Sequence, residues 1–156
     1  MSLSVQITLA NPEDAERLTG IAFAAKRHWG YPERWMENWR ERLTVTAEFI
    51  GSHETFLAVV EKRAVGFYAL RRKDALLELV HMWVLPEWMG RGAGRALFCH
   101  AVERAKTLGF QKVEIESDPN AEGFYLRMGA RRVGESVQMM EEQRRKLPML
   151  LYEIEG

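Results

Sequence analysis

The sequence predicts a mixed α/β domain in which a central, mostly antiparallel sheet is flanked by helices. The first part of the chain repeats apolar residues at helical spacing, and the middle alternates apolar and polar residues between short turns. A glycine-rich turn and an amphipathic helix follow the third of these strands. We expect one domain over residues 1–156, since this length suits a single domain and 47% of the residues are apolar.

Helices are predicted for most of the N-terminal part, after a first strand at residues 5–9. Asn11 and Pro12 are typical of a helix start, and residues 12–28 then place Leu18, Ile21, Ala22 and Ala25 on one face. Gly30 and Pro32 break the chain. A second helix is predicted at residues 32–43, with an aromatic stripe that includes Trp35 and Trp39.

Strands and short helices are predicted for the rest of the chain. A β-hairpin is predicted from two alternating stretches joined by a charged turn at residues 61–63, and a third strand covers residues 76–85. A helix after Gly94 is expected to end at Gly109. The remaining predicted elements are a strand at 112–116, a short helix at 119–128, and closing strands at 131–137 and 149–154 around a polar connection.

Composition and charge exclude several functional classes. The 22 basic residues balance the 22 acidic ones, so no overall field would hold the protein on nucleic acid or an anionic membrane. The sequence has no export leader at residues 1–6 and no apolar run long enough to span a bilayer, so we expect a cytoplasmic protein. Cys99 is the only cysteine, and the histidines lack metal-ligand spacing, so no metal site is expected.

A glycine-rich turn at residues 89–95 is the strongest chemical signal. Its glycines permit a tight turn with exposed backbone amides, and the following helix start and two arginines favour an anion such as pyrophosphate. A Walker-type phosphate loop is excluded, because no Gly-Lys-Ser or Gly-Lys-Thr follows. The dinucleotide pattern G-x-G-x-x-G also fails, because Arg95 occupies the position of its third glycine.

Two segments resemble the GCN5-related N-acetyltransferase (GNAT) superfamily. Residues 84–95 resemble its pyrophosphate loop, Gln/Arg-x-x-Gly-x-Gly/Ala after a strand ending in Val-x-Pro, although Met89 replaces the usual polar first residue. Residues 117–130 resemble its Asn-x-x-Ala-x-x-Phe-Tyr-x-x-x-Gly-Phe segment in a compressed form. In that segment Asn120 directly precedes Ala121, and Ala130 replaces the last phenylalanine.

The resemblance implies a sheet that splays at an acetyl-coenzyme A cleft, with acetyl-coenzyme A as co-substrate. The strand ending at Val84 would separate from the strand at 112–116 and leave backbone groups for the pantetheine arm. The residues that would bind the cofactor are Met82, Trp83, Val84, Met89, Gly90, Arg91, Gly92, Ala93, Gly94, Arg95, Asn120 and Tyr125.

The same resemblance suggests the catalytic residues. Tyr125 would be the general acid that protonates the leaving thiolate, although it could instead pack as a core aromatic beside Phe124. Glu78 would be the base that takes a proton from the amine, with His81 as its rival and both in contact with the acceptor. Alternation along the strand would put these two side chains on opposite faces unless a bulge intervenes.

These features predict an enzyme that transfers an acetyl group to a primary amine directly, in a ternary complex. The acceptor would be a small molecule or a peptide, and Trp29 and Tyr31 would form one wall of its pocket unless these rings face the core. We expect a monomer or a homodimer. The alternatives are a non-catalytic acyl-coenzyme A sensor or interaction module and, more distantly, a nicotinamide-dependent oxidoreductase.

Overall fold

Seven strands form one sheet in the computed structural model, which describes residues 4–154. They are β1 (Gln6–Leu9), β2 (Glu54–Val60), β3 (Arg63–Lys73), β4 (Leu76–Val84), β5 (Lys112–Glu116), β6 (Arg131–Met140) and β7 (Gln143–Glu153). Their order in the sheet is β1-β2-β3-β4-β5-β7-β6. The pairs β1–β2, β2–β3, β5–β7 and β6–β7 are antiparallel, and β4–β5 is parallel. The mixed α/β class with a mostly antiparallel sheet is confirmed.

The chain divides into two compact units. The first contains Met1–Leu70 and His81–His100, and the second contains Arg71–Val80 and Ala101–Gly156. Strands β3 and β4 and helix α5 (Ala93–Thr107) pass from one unit into the other. The first three residues, on which the prediction of no export leader partly rests, lie outside the described residues.

Four helices lie between β1 and β2 in the first unit: α1 (Ala15–Arg27), α2 (Glu33–Asn38), α3 (Arg40–Leu43) and α4 (Ala47–Ser52). The predicted apolar face of α1 is buried, and a 3₁₀ turn at Pro12–Asp14 precedes this helix. The predicted single helix at 32–43 is interrupted at one residue, because α2 ends at Asn38 and α3 begins at Arg40. The buried Trp39 between them still has a helical hydrogen bond on each side. Helix α4 was not predicted, since it is short and buries only Ile50 fully.

A two-residue turn joins β2 to β3, as the charged turn in the sequence predicted. Glu61 and Lys62 both have positive φ, 47° and 69°, which is typical of the tight turns whose twist matches a β-hairpin. The β2–β3 ladder runs from Glu54↔Leu70 to Val60↔Arg63, with an irregularity between Ala58 and Val59.

The closing strands of the second unit are longer than predicted. Strands β6 and β7 pair from Arg131↔Leu151 to Met140↔Gln143, and Glu141 and Glu142 make the turn with φ of 50° and 66°. The predicted ends at residues 137 and 149 are therefore wrong. Near the turn β7 carries three consecutive basic residues, Arg144 to Lys146, and in β6 the apolar Val137 and Met139 are exposed. The apolar residues there therefore do not mark a buried face of the strand.

The parallel pair β4–β5 is short. Its described register pairs are Leu77↔Val113 and Glu78↔Glu114, and β4 continues to Val84. Along β4 the residues Leu77, Leu79 and His81 are buried while the residues between them are only half-buried. The predicted alternation therefore holds, and Glu78 and His81 occupy opposite faces of the strand.

Candidate functional site

The glycine turn leads directly into helix α5 in the first unit. A 3₁₀ turn at Pro86–Trp88 follows β4, and α5 begins at Ala93. The amide of Ala96 donates to the Gly92 carbonyl oxygen at 3.0 Å, which is the first hydrogen bond of the helical pattern. The amides before Ala96 belong to the first turn of a helix, where backbone N–H groups have no acceptor within the helix. This segment is therefore suited to binding an anion.

Backbone conformation explains the two glycines of this turn. Gly90 and Gly92 have φ of 75° and 92°, a region that side chains with a Cβ rarely adopt. A Cβ built on either residue would meet no atom within 4 Å. Without a bound ligand, glycine is therefore required at these positions by the backbone conformation and not by crowding. Both residues are exposed and leave their backbone accessible to a ligand.

Two arginines give the turn its positive charge. Arg91 and Arg95 are exposed, and the Arg91 guanidinium lies 5.2 Å from the centre of the Trp88 ring. This cation–π contact holds the Arg91 side chain beside the turn. Met89, at the position where the family motif has a polar residue, is half-buried and follows the 3₁₀ turn with an amide that donates to Pro86.

The end of β4 carries His81, Met82, Trp83 and Val84 in the first unit. Leu85 continues the pairing by donating its amide to the Val65 carbonyl oxygen at 2.8 Å. His81 is buried, and its Nδ1 atom lies 3.1 Å from the Trp83 indole nitrogen, which donates the hydrogen bond. The structure thus brings two of the proposed binding residues together through their side chains.

Glu78 lies in the second unit and is paired with Arg71. The Arg71 Nη2 and Nε atoms lie 3.0 and 3.2 Å from the same Glu78 oxygen, Oε1. Its neighbour across the parallel ladder, Glu114, forms an ion pair with Lys73 at 2.9 Å. The Glu78 side chain keeps about a quarter of its surface exposed, 25%, so the carboxylate remains accessible to solvent.

Tyr125 is buried in helix α6 (Glu122–Arg127) of the second unit. Burial raises the pKa of its phenol well above the ordinary value, and the negative charge of Asp118 raises this pKa further. Phe124 packs against Tyr125 edge to face, with ring centres 5.3 Å apart. The core packing that the sequence offered as an alternative is therefore present, and the phenol stays protonated at neutral pH.

Asp118 organises the turn that precedes helix α6. Its Oδ1 accepts hydrogen bonds from the backbone N and the side-chain Nδ2 of Asn120, at 2.8 and 2.9 Å. Its Oδ2 pairs with Arg145 at 3.3 Å, and both side chains of this pair are largely buried. Asn120, predicted to bind the cofactor, thus has a structural role in the turn that carries Tyr125.

The aromatic residues near Gly30 surround a lysine of their own chain. The Lys26 ammonium lies 4.2 Å from the Trp39 ring centre and 5.0 Å from that of Tyr31. Tyr31 and Trp39 meet edge to face at 4.9 Å, and Trp39 is buried. Trp29 is different, because it is 38% exposed. The alternative that these rings face the core therefore holds for Trp39, whereas the Trp29 ring is exposed at the surface and could contact a ligand.

The structure describes two further properties relevant to function. Within residues 4–154, no three His, Cys, Asp or Glu side chains are arranged to hold a metal ion. Over the same residues, every helix is too short or too polar to cross a lipid bilayer.

A family model matches most of the chain. Residues 16–151 match the model described as acetyltransferase (GNAT) domain. The chain belongs to the GNAT family. As a GNAT protein it is an acyltransferase that uses acetyl-coenzyme A as co-substrate, and the resemblance seen in the sequence is confirmed.

Solved structures of other GNAT proteins have the same fold. A GCN5-related N-acetyltransferase from Rhodopseudomonas palustris has 19% identity and a TM-score of 0.78, with coverage of 99% of this chain and 97% of that one. The PaiA N-acetyltransferase from Thermoplasma acidophilum, in complex with coenzyme A, has 20% identity and a TM-score of 0.75, with coverage of 97% and 99%.

A third GNAT structure is the ribosomal-protein-S18-alanine N-acetyltransferase from Escherichia coli. It has 15% identity and a TM-score of 0.74, and 98% of this chain and 96% of that one are covered. No curated protein is similar enough in sequence to count as a relative. At these identities the solved structures support the fold and leave the acceptor of this GNAT protein open.

Sequence reasoning missed three residues that hold the proposed groups of this GNAT protein in place. Arg71 pairs with Glu78, while Asp118 and Arg145 pair beside the Tyr125 helix. Arg145 and Asp118 are 27 residues apart in the chain, so no local spacing indicated their contact. Asp118 had one usable signal, because an aspartate before Pro119 is typical of a capped turn.

Proposed function

We propose that this GNAT protein transfers the acetyl group of acetyl-coenzyme A directly to a primary amine in a ternary complex. The observation that carries the proposal is the glycine turn before α5, where positive φ at Gly90 and Gly92 exposes helix-start amides beside Arg91 and Arg95. Amides and guanidinium groups together match the two negative charges of a pyrophosphate. The backbone of Met82, Trp83 and Val84 would bind the pantetheine arm.

In this mechanism the amine nitrogen attacks the thioester carbonyl carbon, and the carbon–sulfur bond then breaks. Tyr125 donates its phenolic hydrogen toward the departing sulfur. A thiol has a pKa of about 8.5, whereas burial and Asp118 raise the pKa of Tyr125 above its ordinary value. Complete proton transfer from the phenol is therefore unfavourable. Tyr125 would stabilise the thiolate mainly as a hydrogen-bond donor.

Glu78 is the base in this proposal. Its carboxylate is accessible and ion-paired with Arg71, so its position on β4 is fixed while an oxygen can still meet a water molecule. A primary amine is mainly protonated near neutral pH and must lose a proton before it attacks. Glu78 would accept this proton, directly or through water, and pass it to solvent. After the attack the nitrogen carries one further excess proton, which would leave by the same route as the carbon–sulfur bond breaks, so the products are a neutral amide and the coenzyme A thiolate.

Trp29 and Tyr31 form one wall of the acceptor pocket in the proposal. Trp29 supplies an exposed ring, while Tyr31 contributes from beside Lys26. The acceptor is a small molecule or a peptide with a primary amine. A structure with this fold is named for the alanine of ribosomal protein S18, but the fold alone does not select the amine.

The test is a thiol-release assay with acetyl-coenzyme A over a panel of amines. The panel contains polyamines, amino acids, lysine-containing peptides and peptides with free N-termini. Amine-dependent release of coenzyme A, with matching acetylated product by mass spectrometry, is the expected result. Tight coenzyme A binding without transfer to any amine would instead favour the non-catalytic sensor. The single domain, the cytoplasmic location and the monomeric or homodimeric state remain predictions.

A further inference from the structure

The hydrogen bond between Trp83 and His81 determines where His81 carries its proton. The Trp83 Nε1 atom lies 3.1 Å from His81 Nδ1. An indole N–H group can only donate, so Nδ1 must supply the lone pair that accepts. A neutral imidazole has one protonated nitrogen, and His81 must then carry its hydrogen on Nε2.

Aromatic packing holds the His81 ring in this orientation. Phe49 of α4 meets it edge to face and Phe67 of β3 meets it at a tilt, each with ring centres 5.6 Å apart. His53 stacks on Phe49 with ring centres 4.3 Å apart, so a second titratable ring lies beyond Phe49 as seen from His81. His81 itself is 7% exposed, so a rotation of its ring would disturb the packing of Phe49 and Phe67 and break the hydrogen bond from Trp83.

We propose that Trp83 is a positioning residue that holds His81 as the neutral Nε2–H tautomer and thereby removes His81 as a base for the amine. Protonation at Nδ1 would place two N–H groups against each other and would cost the hydrogen bond from Trp83. Nε2 already carries a hydrogen and has no lone pair to accept another. The transfer of the amine proton thus falls to Glu78 or to water.

The tautomer assignment stands on geometry alone, whereas its consequence for the base rests on the proposed function. The first experiment is nitrogen NMR on protein labelled at its histidines, with His81→Gln to identify the His81 signals. The wild-type spectrum should show an unprotonated Nδ1 and a protonated Nε2. A wild-type His81 with its hydrogen on Nδ1 would overturn the assignment, whatever the variants do.

The second experiment asks whether Trp83 sets this state. In Trp83→Phe the two tautomers should both be populated, because the indole N–H group that favours the Nε2–H form is gone. Phe49→Leu is the matched control, because it removes an aromatic neighbour but keeps the indole donor, and its tautomer should match wild type. An unchanged tautomer in Trp83→Phe would overturn the positioning role.

The third experiment is the pH profile of kcat/KM for His81→Gln, with the amine that the thiol-release assay identifies. The profile should keep the wild-type shape, whatever the change in its height, since no ionisation of His81 contributes to the reaction. Loss of the acidic limb in this variant would overturn the exclusion of His81 as base. Absence of transfer with every amine would refute the proposed function and leave the NMR result standing.

Discussion

Gly66 lies so close to Trp83 that a Cβ atom added to it would be 2.7 Å from the Trp83 carbonyl oxygen. The same atom would be 3.1 Å from Leu97 Cδ1 and 3.3 Å from the Val84 Cα. Gly66 is on β3, Trp83 on β4 and Leu97 on α5, so glycine permits three elements of the first unit to pack.

We expect Gly66→Ala to lower the free energy of unfolding by roughly 1–3 kcal/mol, the usual cost of overpacking a tight interior. Displacement of the Trp83 backbone should also weaken coenzyme A binding. Urea unfolding and calorimetric titration measure the two effects. Gly20→Ala is the control, because a Cβ there meets nothing within 4 Å and the helix should gain about 0.5–1 kcal/mol. Equal stability of the two variants would contradict the packing argument.

Gly92→Val should weaken coenzyme A binding severely while the helices of the N-terminal part stay folded. The structure assigns the cause to the backbone, since φ is 92° and the space around a Cβ is empty. A left-handed conformation costs a residue with a Cβ roughly 1–2 kcal/mol. Calorimetric titration with coenzyme A measures the loss, and circular dichroism checks the fold. Gly51→Val, in α4 without positive φ, is the control, and equal affinity in both variants would refute the loop assignment.

Tyr125→Phe should lower turnover and change acetyl-coenzyme A affinity little, because only the donor to the sulfur is removed. The loss would be roughly 10- to 10,000-fold if the phenol protonated the thiolate, and about 100- to 1,000-fold if it only donates a hydrogen bond. Steady-state kinetics of both substrates measure this. Wild-type turnover in the variant would remove Tyr125 from the mechanism and leave it as a core aromatic.

Tyr125 should also make the fold sensitive to alkali. Its folded pKa is raised, so the buried phenol contributes its full stability below the unfolded pKa of about 10 and loses it as pH rises through the folded value. Wild type should therefore lose stability above pH 10 more steeply than Tyr125→Phe. Thermal unfolding between pH 8 and about 11 measures the difference, and parallel curves would contradict burial of the phenol.

Glu78→Gln should depress the rate most near neutral pH, where the amine is protonated, and the rate should recover as pH rises. Glu114→Gln provides a matched control, because Glu114 is the register partner of Glu78 and is also paired with a cation. Its pH profile should follow wild type. A Glu78→Gln profile parallel to wild type would make water the proton acceptor.

Trp29→Ala should raise the acceptor KM and leave the acetyl-coenzyme A KM near wild type, since the exposed ring can contact a ligand without supporting the core. Tyr31→Ala should have the same kinetic effect but also cost stability, because Tyr31 packs on Trp39 and Lys26. Kinetics after a check of folding separate the two contributions. If both constants are unchanged in Trp29→Ala, the acceptor pocket lies elsewhere.

Patterns between residues close in the sequence predicted several helices and strands correctly. The hairpin at β2–β3, helix α5 and strand β5 follow from apolar periodicity and from glycines at turns, and their predicted bounds are close to the observed ones. The hairpin at β6–β7 was only partly predicted, because its strands were expected to end at Val137 and to begin again at Met149. Its turn at Glu141 and Glu142 lacks glycine and asparagine, as does the turn between β2 and β3.

The candidate site was predictable only where a motif is continuous in the chain. The glycine turn and the Tyr125 segment are such motifs, whereas the Arg71–Glu78, Asp118–Arg145 and Trp83–His81 contacts depend on side-chain geometry. Lys26 and Tyr31 likewise contact the Trp39 ring from other parts of the chain, and no local pattern indicated these contacts. Sequence periodicity predicted the aromatic stripe but not that the Lys26 ammonium would pack against its rings.

That enclosed cation has a consequence for ligands with a positive charge. Lys26 belongs to the same chain as the rings of Tyr31 and Trp39, so its ammonium contacts them without the loss of translational freedom that a free cation pays on binding. A free ammonium compound would have to displace Lys26 before it could contact the same ring faces. This position is therefore already filled by a cation of the chain itself.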